Sequence, residues 1–493
     1  MIEKRYVIGL DQSTQGTKAI LLDATGKVIG KAFLPHEQIV NDKGWVSHDG
    51  EVICRNSCQV IRQLVEIARA DKDAIAAIGI SNQRETTIAW DRVTGRPVDH
   101  AIVWQCARAK EITAELTDKH FREIIRKKTG IPLSPYFPAA KAAWILRHNQ
   151  QARQLAGEGR LCIGTMDSWL IFKLTGGSVF KTDYSNASRT QLFNLHTLTW
   201  DEEICGALGI PTDALAAVES SDGSFDSTTL GGYFETPVPI HAVLGDSHAA
   251  LFGQGCVKPG MAKATYGTGS SIMMNIGGAF QGSRNGLVTS LAWGRGGKVE
   301  YVLEGNINYA GAVITWLQKD LGLVENAQDT ETLAEAANPE DGTYLVPAFS
   351  GLGAPYWNEV ARAAFCGMSR TTGRKELVKA GLECIAYQVT DIVEAMAKDS
   401  GLPFKELRVD GGPTANGYLM QFQSDMLQGN IRIPAAEELS AIGAATMAGI
   451  GVGFFAEDLL EAEHNKRLYE PQMDENRRNK KYAGWKNAIE KLM

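Results

Sequence analysis

Three apolar runs of this 493-residue chain, 6–11, 240–246 and 407–410, each end in a carboxylate: Asp11, Asp246 and Asp410. Behind Asp11 stand Ser13, Thr14, Gln15, Gly16 and Lys18, a short loop of small, hydroxylated and amide residues. Such residues let the backbone close around an anion, with N–H groups and hydroxyls pointing inward. Lys18 supplies a cation there, and Asp11 can reach a metal through water. This is the chemistry of a phosphate–Mg²⁺ clamp. A second loop of the same kind holds Thr265, Gly267, Thr268, Gly269, Ser270 and Ser271, and Asp410 runs into Gly411 and Gly412. A fourth apolar run, 75–80, empties into Ser81, Asn82, Gln83, Arg84, Glu85 and Thr86, where Arg84 offers a fork of donors beside an acceptor pair. Strands that exit into polar clusters are where α/β proteins contact ligands.

The elements that carry these residues follow from periodicity. The first apolar run, its tight loop and a second run read as strand, turn, strand, with a further hairpin at 23–27. A helix is expected over 49–70, from apolar residues at helical spacing, then a buried strand at 75–80. Residues 87–90 lead through Asp91 and Gly95 into 101–105, another hairpin. Helices are expected at 108–128 and 138–156, the second after a Pro-rich loop containing Tyr136. Residues 161–169 open a short helix, and 183–189 read as a polar loop. From about residue 252 the pattern restarts: 260–274 repeats the strand, hydroxyl and glycine turn, strand sequence, and 407–416 leads into a helix at 418–427. Two phosphate-type hairpins about 250 residues apart point to a duplicated fold. The cleft between two such halves is the usual place for a small ligand.

Composition narrows the function class. The length exceeds one core and suggests two large domains. A net charge of −7 argues against nucleic acid. The eight cysteines form no Cys-x-x-Cys pair, and the chain opens without a secretory signal, which reads as reduced thiols in the cytoplasm. Cys54 and Cys58 share one helical face and read as packing. The uncharged run 439–456 is rich in Gly and Ala, which fits a closely packed buried helix rather than membrane insertion. Neither a Walker sequence nor Gly-x-Gly-x-x-Gly is present. Trp104 and Trp357 read as core aromatics, His48 and His248 as structural histidines, and 466–491 as a solvated helix.

The collinear order of Asp11 to Thr14, Ser81 to Thr87, 101–105, Thr182 to Arg189, Gly245-Asp246, Thr265 to Gly269, Pro347 to Trp357 and Val409 to Gly412 resembles the FGGY carbohydrate kinase family over nearly the whole chain, from Tyr6 to Trp485. The resemblance implies an α/β fold of two actin-like, ribonuclease-H-like ATPase domains, 1–251 and 252–493, with ATP, Mg²⁺ and a small polyol or sugar in the interdomain cleft. It implies that Thr14, Gln15, Gly16 and Lys18 face the ATP phosphates, with Thr268 and Gly269 as the second phosphate turn and Gly311 nearby. Gly411, Gly412 and Asn416 would bind the adenosine end. Asp11 and Asp246 would hold Mg²⁺. Arg84, Glu85, Tyr136 and Asp246 would grip the polyol against Trp104, and Asp246 would be the catalytic base. A homodimer or larger assembly is also implied.

Glycerol is the first-choice acceptor, and a tetritol, pentitol or ketose the alternative. The alternative rests on departures from the family pattern. Members that act on glycerol typically carry Gln directly after the catalytic Asp and Phe at the second position after the Thr-Gly turn; this chain has Ser247 and Ser271. Lys18 stands where they usually carry Arg. Some bacterial members bind a sugar bisphosphate inhibitor through a loop containing Gly and Arg; the corresponding stretch 230–239 has no Arg or Lys, so that regulation is expected to be absent. A chaperone or filament ATPase of the same fold would leave Arg84, Glu85 and Asp246 without a role, and a catalytically dead sensor would be expected to lose Asp11 or Asp246.

Overall fold

The computed structural model of the chain describes residues 3–116, 118–460 and 465–493. The opening hairpin is a meander of β1 (Tyr6–Gln12), β2 (Gly16–Asp23) and β3 (Val28–Pro35). Helix α1 (Gly50–Ala68) is started by Asp49, whose carboxylate accepts the Glu51 and Val52 N–H groups. Its apolar face, including Ile53, Val60 and Leu64, packs on β2 and β3. The chain returns as β4 (Ile75–Asn82), parallel to β1.

The two helices expected over 108–156 are each divided, giving Lys110–Glu115 and Lys119–Thr129, then α2 (Pro138–His148) and Gln150–Gly157. The cause is local. Asn149 is extended and its side chain accepts the Ala152 N–H, and Asp118 does the same for His120, so each starts a new helix. The stretch 183–189 is not an open loop: α3 (Tyr184–Ala187) is a buried turn of helix capped by Asp183. β5 (Val238–Gly245) then joins the sheet parallel to β4, and α4 (Asp246–Gly253) leaves its end.

The second half repeats this plan. β6 (Met261–Tyr266) and β7 (Ser270–Gly277) form a hairpin, extended by β8 (Val288–Arg295) and β9 (Lys298–Ile307). After α5 (Gly311–Lys319) and the long α6 (Arg374–Ser400), β10 (Glu406–Asp410) pairs in parallel with β6. α7 (Gly417–Leu427) leads to β11 (Asn430–Pro434), parallel to β10. In both sheets the central strand, β1 or β6, thus has its hairpin partner on one side and a parallel strand on the other.

α8 (Leu439–Gly451) fuses the halves by crossing back onto the first sheet. A Cβ at Gly9 would lie 2.2 Å from the Ala441 carbonyl oxygen, and one at Gly79 2.0 Å from that of Ala444. Only glycine permits this approach of α8, which takes up residues 439–451 of the uncharged run 439–456. Among the described residues no helix is long and apolar enough to cross a membrane.

Two readings of the C-terminal third are corrected. Residues 466–491 are not one solvated helix but part of β12 (Asn465–Tyr469) and a helix over Glu475–Glu490 that buries Tyr482, Trp485 and Ile489. Tyr482 and Trp485 donate to the buried Asp391 carboxylate at 2.6 and 2.8 Å, which fixes that face inward. Trp357 is not in the core: it is 59% exposed, with its indole N–H on the Gly286 carbonyl. None of the eight cysteines is in a disulfide.

Candidate active site

Strand register brings the polar exits of the first sheet together. Asp11 lies beside Ser81, and both Gln12 and Gly245 lie beside Asn82. The Ser81 hydroxyl donates to Asp11 Oδ1 at 2.8 Å, and Lys18 is Asp11's partner across the hairpin. The loop between them is closed by Ser13, whose N–H and hydroxyl both donate to the Gly16 carbonyl at 2.9 Å. Thr14 Oγ1 accepts the Trp104 indole N–H at 3.0 Å, and Gln15 is exposed at the tip. Lys18 Nζ forms an ion pair with Glu438, just before α8. Burial pushes the Asp11 carboxyl up to about 6; the Ser81 hydroxyl and Lys18 oppose the rise, and the negative charge of Asp246 adds to it.

Beneath this loop is a buried charge cluster. Arg84 and Glu85 are neighbours in sequence but turn to different partners, because Glu85 takes the left-handed conformation with φ 58°. Arg84 uses both terminal nitrogens on Glu304, at 3.0 and 3.1 Å, and its Nε lies 3.1 Å from Asp246 Oδ1. Glu85 accepts Arg189 Nε at 2.6 Å, and Arg189 also pairs with Glu304 at 2.8 Å. Glu304 reaches in from β9 and is 1% exposed. Burial would raise its carboxyl, but Arg189 and Arg84 hold it well below the ordinary range. The cluster therefore has two arginines and three carboxylates. The surplus acid is the most exposed one, Asp246, at 38%.

Asp246 opens α4. Its Oδ1 takes both the Arg84 contact and its own neighbour's Ser247 N–H at 2.6 Å. Oδ2 has no protein partner among the described residues. Ser247 is half-buried, and Ser271, on β7, points its hydroxyl at Glu304 Oε1 at 3.4 Å. Trp104 and Tyr136 meet as a tilted ring pair, 5.5 Å between centroids. Arg189 is delivered by α3, which is tied to β4 by reciprocal Asn82–Asn186 amide hydrogen bonds of 2.9 and 3.0 Å.

On the other side of the cleft the second turn abuts α5. The Thr268 carbonyl accepts the Ala310 and Ala312 N–H groups at 2.8 and 3.0 Å, and the Gly311 N–H donates to Gly267. Gly411, at φ 99°, packs so tightly that a Cβ would sit 2.0 Å from the Tyr266 oxygen. Asn416 caps α7 and donates to Thr330 at 3.0 Å. Gly311, Ile314, Gln318, Ala327, Gly412 and Asn416 line a cavity of about 320 Å³. A second cavity, of about 440 Å³, shares Gly412 with the first and is lined by Asp410, Gly411, Glu437 and Arg467.

Residues 6–253 match the FGGY family of carbohydrate kinases, N-terminal domain, and residues 262–452 match the C-terminal domain of the same family. The chain belongs to the FGGY family of carbohydrate kinases. It is similar to the glycerol kinase of Carboxydothermus hydrogenoformans, 47% identical over 99% of this chain and 98% of that one. It is 45% identical to that of Xanthomonas axonopodis pv. citri, over 100% and 99%. The crystal structure of Plasmodium falciparum glycerol kinase with ADP superposes with a TM-score of 0.94 at 34% identity, covering 100% of this chain and 99% of that one. The two-part, actin-like α/β plan expected from the sequence is thus the fold of this FGGY kinase, a phosphotransferase with an alcohol group as acceptor.

Within this FGGY kinase the cleft gathers Asp11, Arg84, Glu85, Asp246 and Ser271 around one charge cluster. The donor fork of Arg84 is occupied by Glu304, and the acceptor pair of Glu85 faces Arg189 rather than Arg84. Four residues of the site carried no role in the sequence reading: Arg189, Glu304, Lys141 and Glu438. For Lys141 the signal was a lone charge in the alanine-rich start of α2 and for Glu304 a carboxylate in the apolar part of β9; Arg189, in a polar stretch, and Glu438, beside Glu437, carried no such signal. His48 and His248 are buried, but one ring nitrogen of each lacks a partner, and burial holds both below the ordinary imidazole range.

Proposed function

We propose that this kinase transfers the γ-phosphate of ATP to glycerol, giving glycerol 3-phosphate, with Asp246 as general base. The observation that carries the reading is the Asp246 carboxylate: Oδ1 is fixed by Arg84 and the Ser247 N–H, and Oδ2 is free to accept a hydroxyl proton. A positioned base contributes about 10²–10⁴-fold. Arg84, Glu85 and Tyr136 hold the acceptor hydroxyls against the Trp104 wall, with Ser247 and Ser271 completing the lining. Charge-assisted hydrogen bonds suit this polyol recognition.

The phosphates lie between the two turns. Thr14, Gln15 and Gly16 present backbone and hydroxyl donors from one side, and Thr268 and Gly269 from the other. Lys18 exchanges Glu438 for phosphate oxygens. Gly311, Gly412 and Asn416 border the cavity of about 320 Å³ that takes the adenosine, and Gly411 lines the adjoining cavity of about 440 Å³. Positioning and electrostatics carry most of such a transfer.

Asp11 and Asp246 suit Mg²⁺: burial raises the Asp11 carboxyl and the Asp246 charge adds to the rise, a pattern that a bound cation relieves. Two carboxylates with water and phosphate oxygens are the usual donor set for this ion. When bound, it would neutralise charge on the phosphates. The reading includes a cytoplasmic location and a homo-oligomer.

The test is a coupled ADP-release assay over triols, tetritols, pentitols and ketoses, with acceptor-free ATPase subtracted. The highest kcat/KM is expected for glycerol. A second reading, a four- or five-carbon acceptor, is favoured by the two small side chains at Ser247 and Ser271, and a higher kcat/KM for such an acceptor would establish it.

A further inference from the structure

Lys141 is a buried cation on the acceptor side of the cleft, and among the described residues no carboxylate lies within ion-pair distance of its ammonium. It stands on α2 in a run of alanines and is 0% exposed. An isolated buried ammonium is costly unless every N–H is satisfied. Here the three N–H groups meet three main-chain carbonyls, those of Glu85 at 3.3 Å, Trp104 at 3.3 Å, and Tyr136. These carbonyls come from three segments far apart in sequence: the left-handed turn after β4, the exit of the short strand Ala101–Ile102, and the Pro-rich loop before α2. The same three residues send their side chains into the proposed acceptor pocket.

We propose that Lys141 is a positioning residue that assembles the acceptor pocket, gathering the Glu85, Trp104 and Tyr136 backbones on one ammonium so that their side chains converge on the polyol. Two of the segments are also tied by the Trp104 N–H on Thr86 Oγ1 at 3.2 Å, but among the described residues it is the Lys141 ammonium that meets all three. Tyr136 and Trp104 touch through their rings, but Glu85 is held from its other side by Arg189. Its ammonium touches neither the phosphate turns nor the adenosine cavity; the one link to them is indirect, through the Trp104 indole N–H on Thr14 Oγ1, so its effect is expected mainly on the acceptor. Burial, opposed by the Glu85 carboxylate, lowers the ammonium to about 7, the strain expected of a cation held by carbonyl dipoles instead of a counter-charge.

The inference rests on the acceptor roles proposed for Glu85, Trp104 and Tyr136, and the experiment separates the two. Wild-type enzyme is first assayed with the acceptor panel. If no polyol or sugar stimulates ADP release, the functional reading fails. If one does, Lys141→Met is compared with wild type on that acceptor. The expected result is a KM for the acceptor raised about tenfold or more, the scale of a pocket displaced by a fraction of an ångström. The KM for ATP and the acceptor-free ATPase stay within about twofold of wild type. An unchanged acceptor KM, or equal rises in both KM values, overturns the proposal. Should Lys141→Met be recovered unfolded, Lys141→Arg replaces it. Arg keeps the charge but cannot place one nitrogen among three carbonyls, so a selective rise in acceptor KM supports the proposal. A wild-type KM, or failure of this variant to fold as well, overturns it in favour of a purely structural lysine.

Discussion

The two sides of the cleft are built on opposite principles. On the acceptor side, recognition rests on long charged side chains, and nearly all of them are buried and paired: Arg84 and Arg189 on Glu304, Arg189 on Glu85, Lys141 on three carbonyls. On the nucleotide side the site is backbone and small residues around open cavities, and its cation, Lys18, is 30% exposed and rests on Glu438. The difference has a physical basis. A small polyol brings little binding surface, so its pocket must be rigid before it arrives. A nucleotide is large and charged and can be met by turn N–H groups. Side-chain changes on the acceptor side are therefore expected to act on catalysis and specificity, and those on the nucleotide side mostly on affinity.

The largest effect is expected at the point where the two sides meet. Asp246→Asn keeps the shape of the side chain and removes the proton acceptor. At saturating glycerol and ATP, kcat should fall by about 10²–10⁴-fold while both KM values change little. A kcat within about threefold of wild type would place the base elsewhere and dissolve the contrast drawn above.

Next is Glu304→Gln, which breaks the comparison at its buried centre. The amide leaves Arg84 and Arg189 facing each other without their shared counter-charge. Breaking a buried charge pair of this kind costs about 3–5 kcal/mol. Denaturant unfolding should show a loss of that size, and the acceptor KM should rise while the ATP KM does not. Equal losses on both sides of the cleft would mean that the cluster stabilises the whole fold rather than preorganising one site.

The contrast also explains what the sequence could and could not reveal. The nucleotide side is local: its hairpins, with apolar runs broken by Ser, Thr and Gly, follow from a few consecutive residues, and β1, β2, β6 and β7 formed where expected. The small-residue helix α8 was likewise legible, since Gly and Ala serve close packing wherever it occurs. The acceptor side is non-local. Glu304 lies 220 residues from Arg84. The adjacency of Arg84 and Glu85 misleads about their partners because one left-handed residue turns the chain between them. Helix boundaries at Asp118 and Asn149 depended on side-chain caps, which compete weakly with a helical pattern in sequence but decide it in the fold.

A smaller effect is expected from Asp11→Asn, which sharpens the comparison through pH. The Asp11 carboxyl is raised from 3.8 to about 6, so its contribution to stability is full below pH 3.8 and is lost as pH rises through 6. At pH 8 the ligand-free protein carries an unfavourable half-buried charge, and the amide should stabilise it by roughly 2 kcal/mol, the shift discounted for solvent at the site. At pH 4 the gain should nearly vanish. The same variant should need about tenfold more Mg²⁺ for half-maximal rate, the scale found when an outer-sphere partner is lost. In wild type, kcat/KM should fall on an acid limb near pH 6. Equal stability of variant and wild type at pH 8 would show that the carboxyl is not strained.

The smallest effect separates the candidate acceptors. Ser247 and Ser271 are the two small residues of a pocket otherwise walled by aromatic rings and buried charge, and the Ser271 hydroxyl leans on Glu304 at 3.4 Å. Enlarging both, as Ser247→Gln with Ser271→Phe, removes space and leaves the ion pairs of the charge cluster in place, losing only the long Ser271–Glu304 contact. Each lost or gained contact of this size shifts specificity by about 1–3 kcal/mol. The ratio of kcat/KM for glycerol over a tetritol or pentitol should therefore rise by about 10-fold or more in the double variant, with ATP parameters unchanged. If the serines are tolerated variation in a pocket already filled by Trp104 and Tyr136, the ratio will stay flat and glycerol turnover will fall through overpacking. That outcome would assign acceptor size to the frame behind the lining, the Glu304 and Lys141 contacts, rather than to the residues that line it.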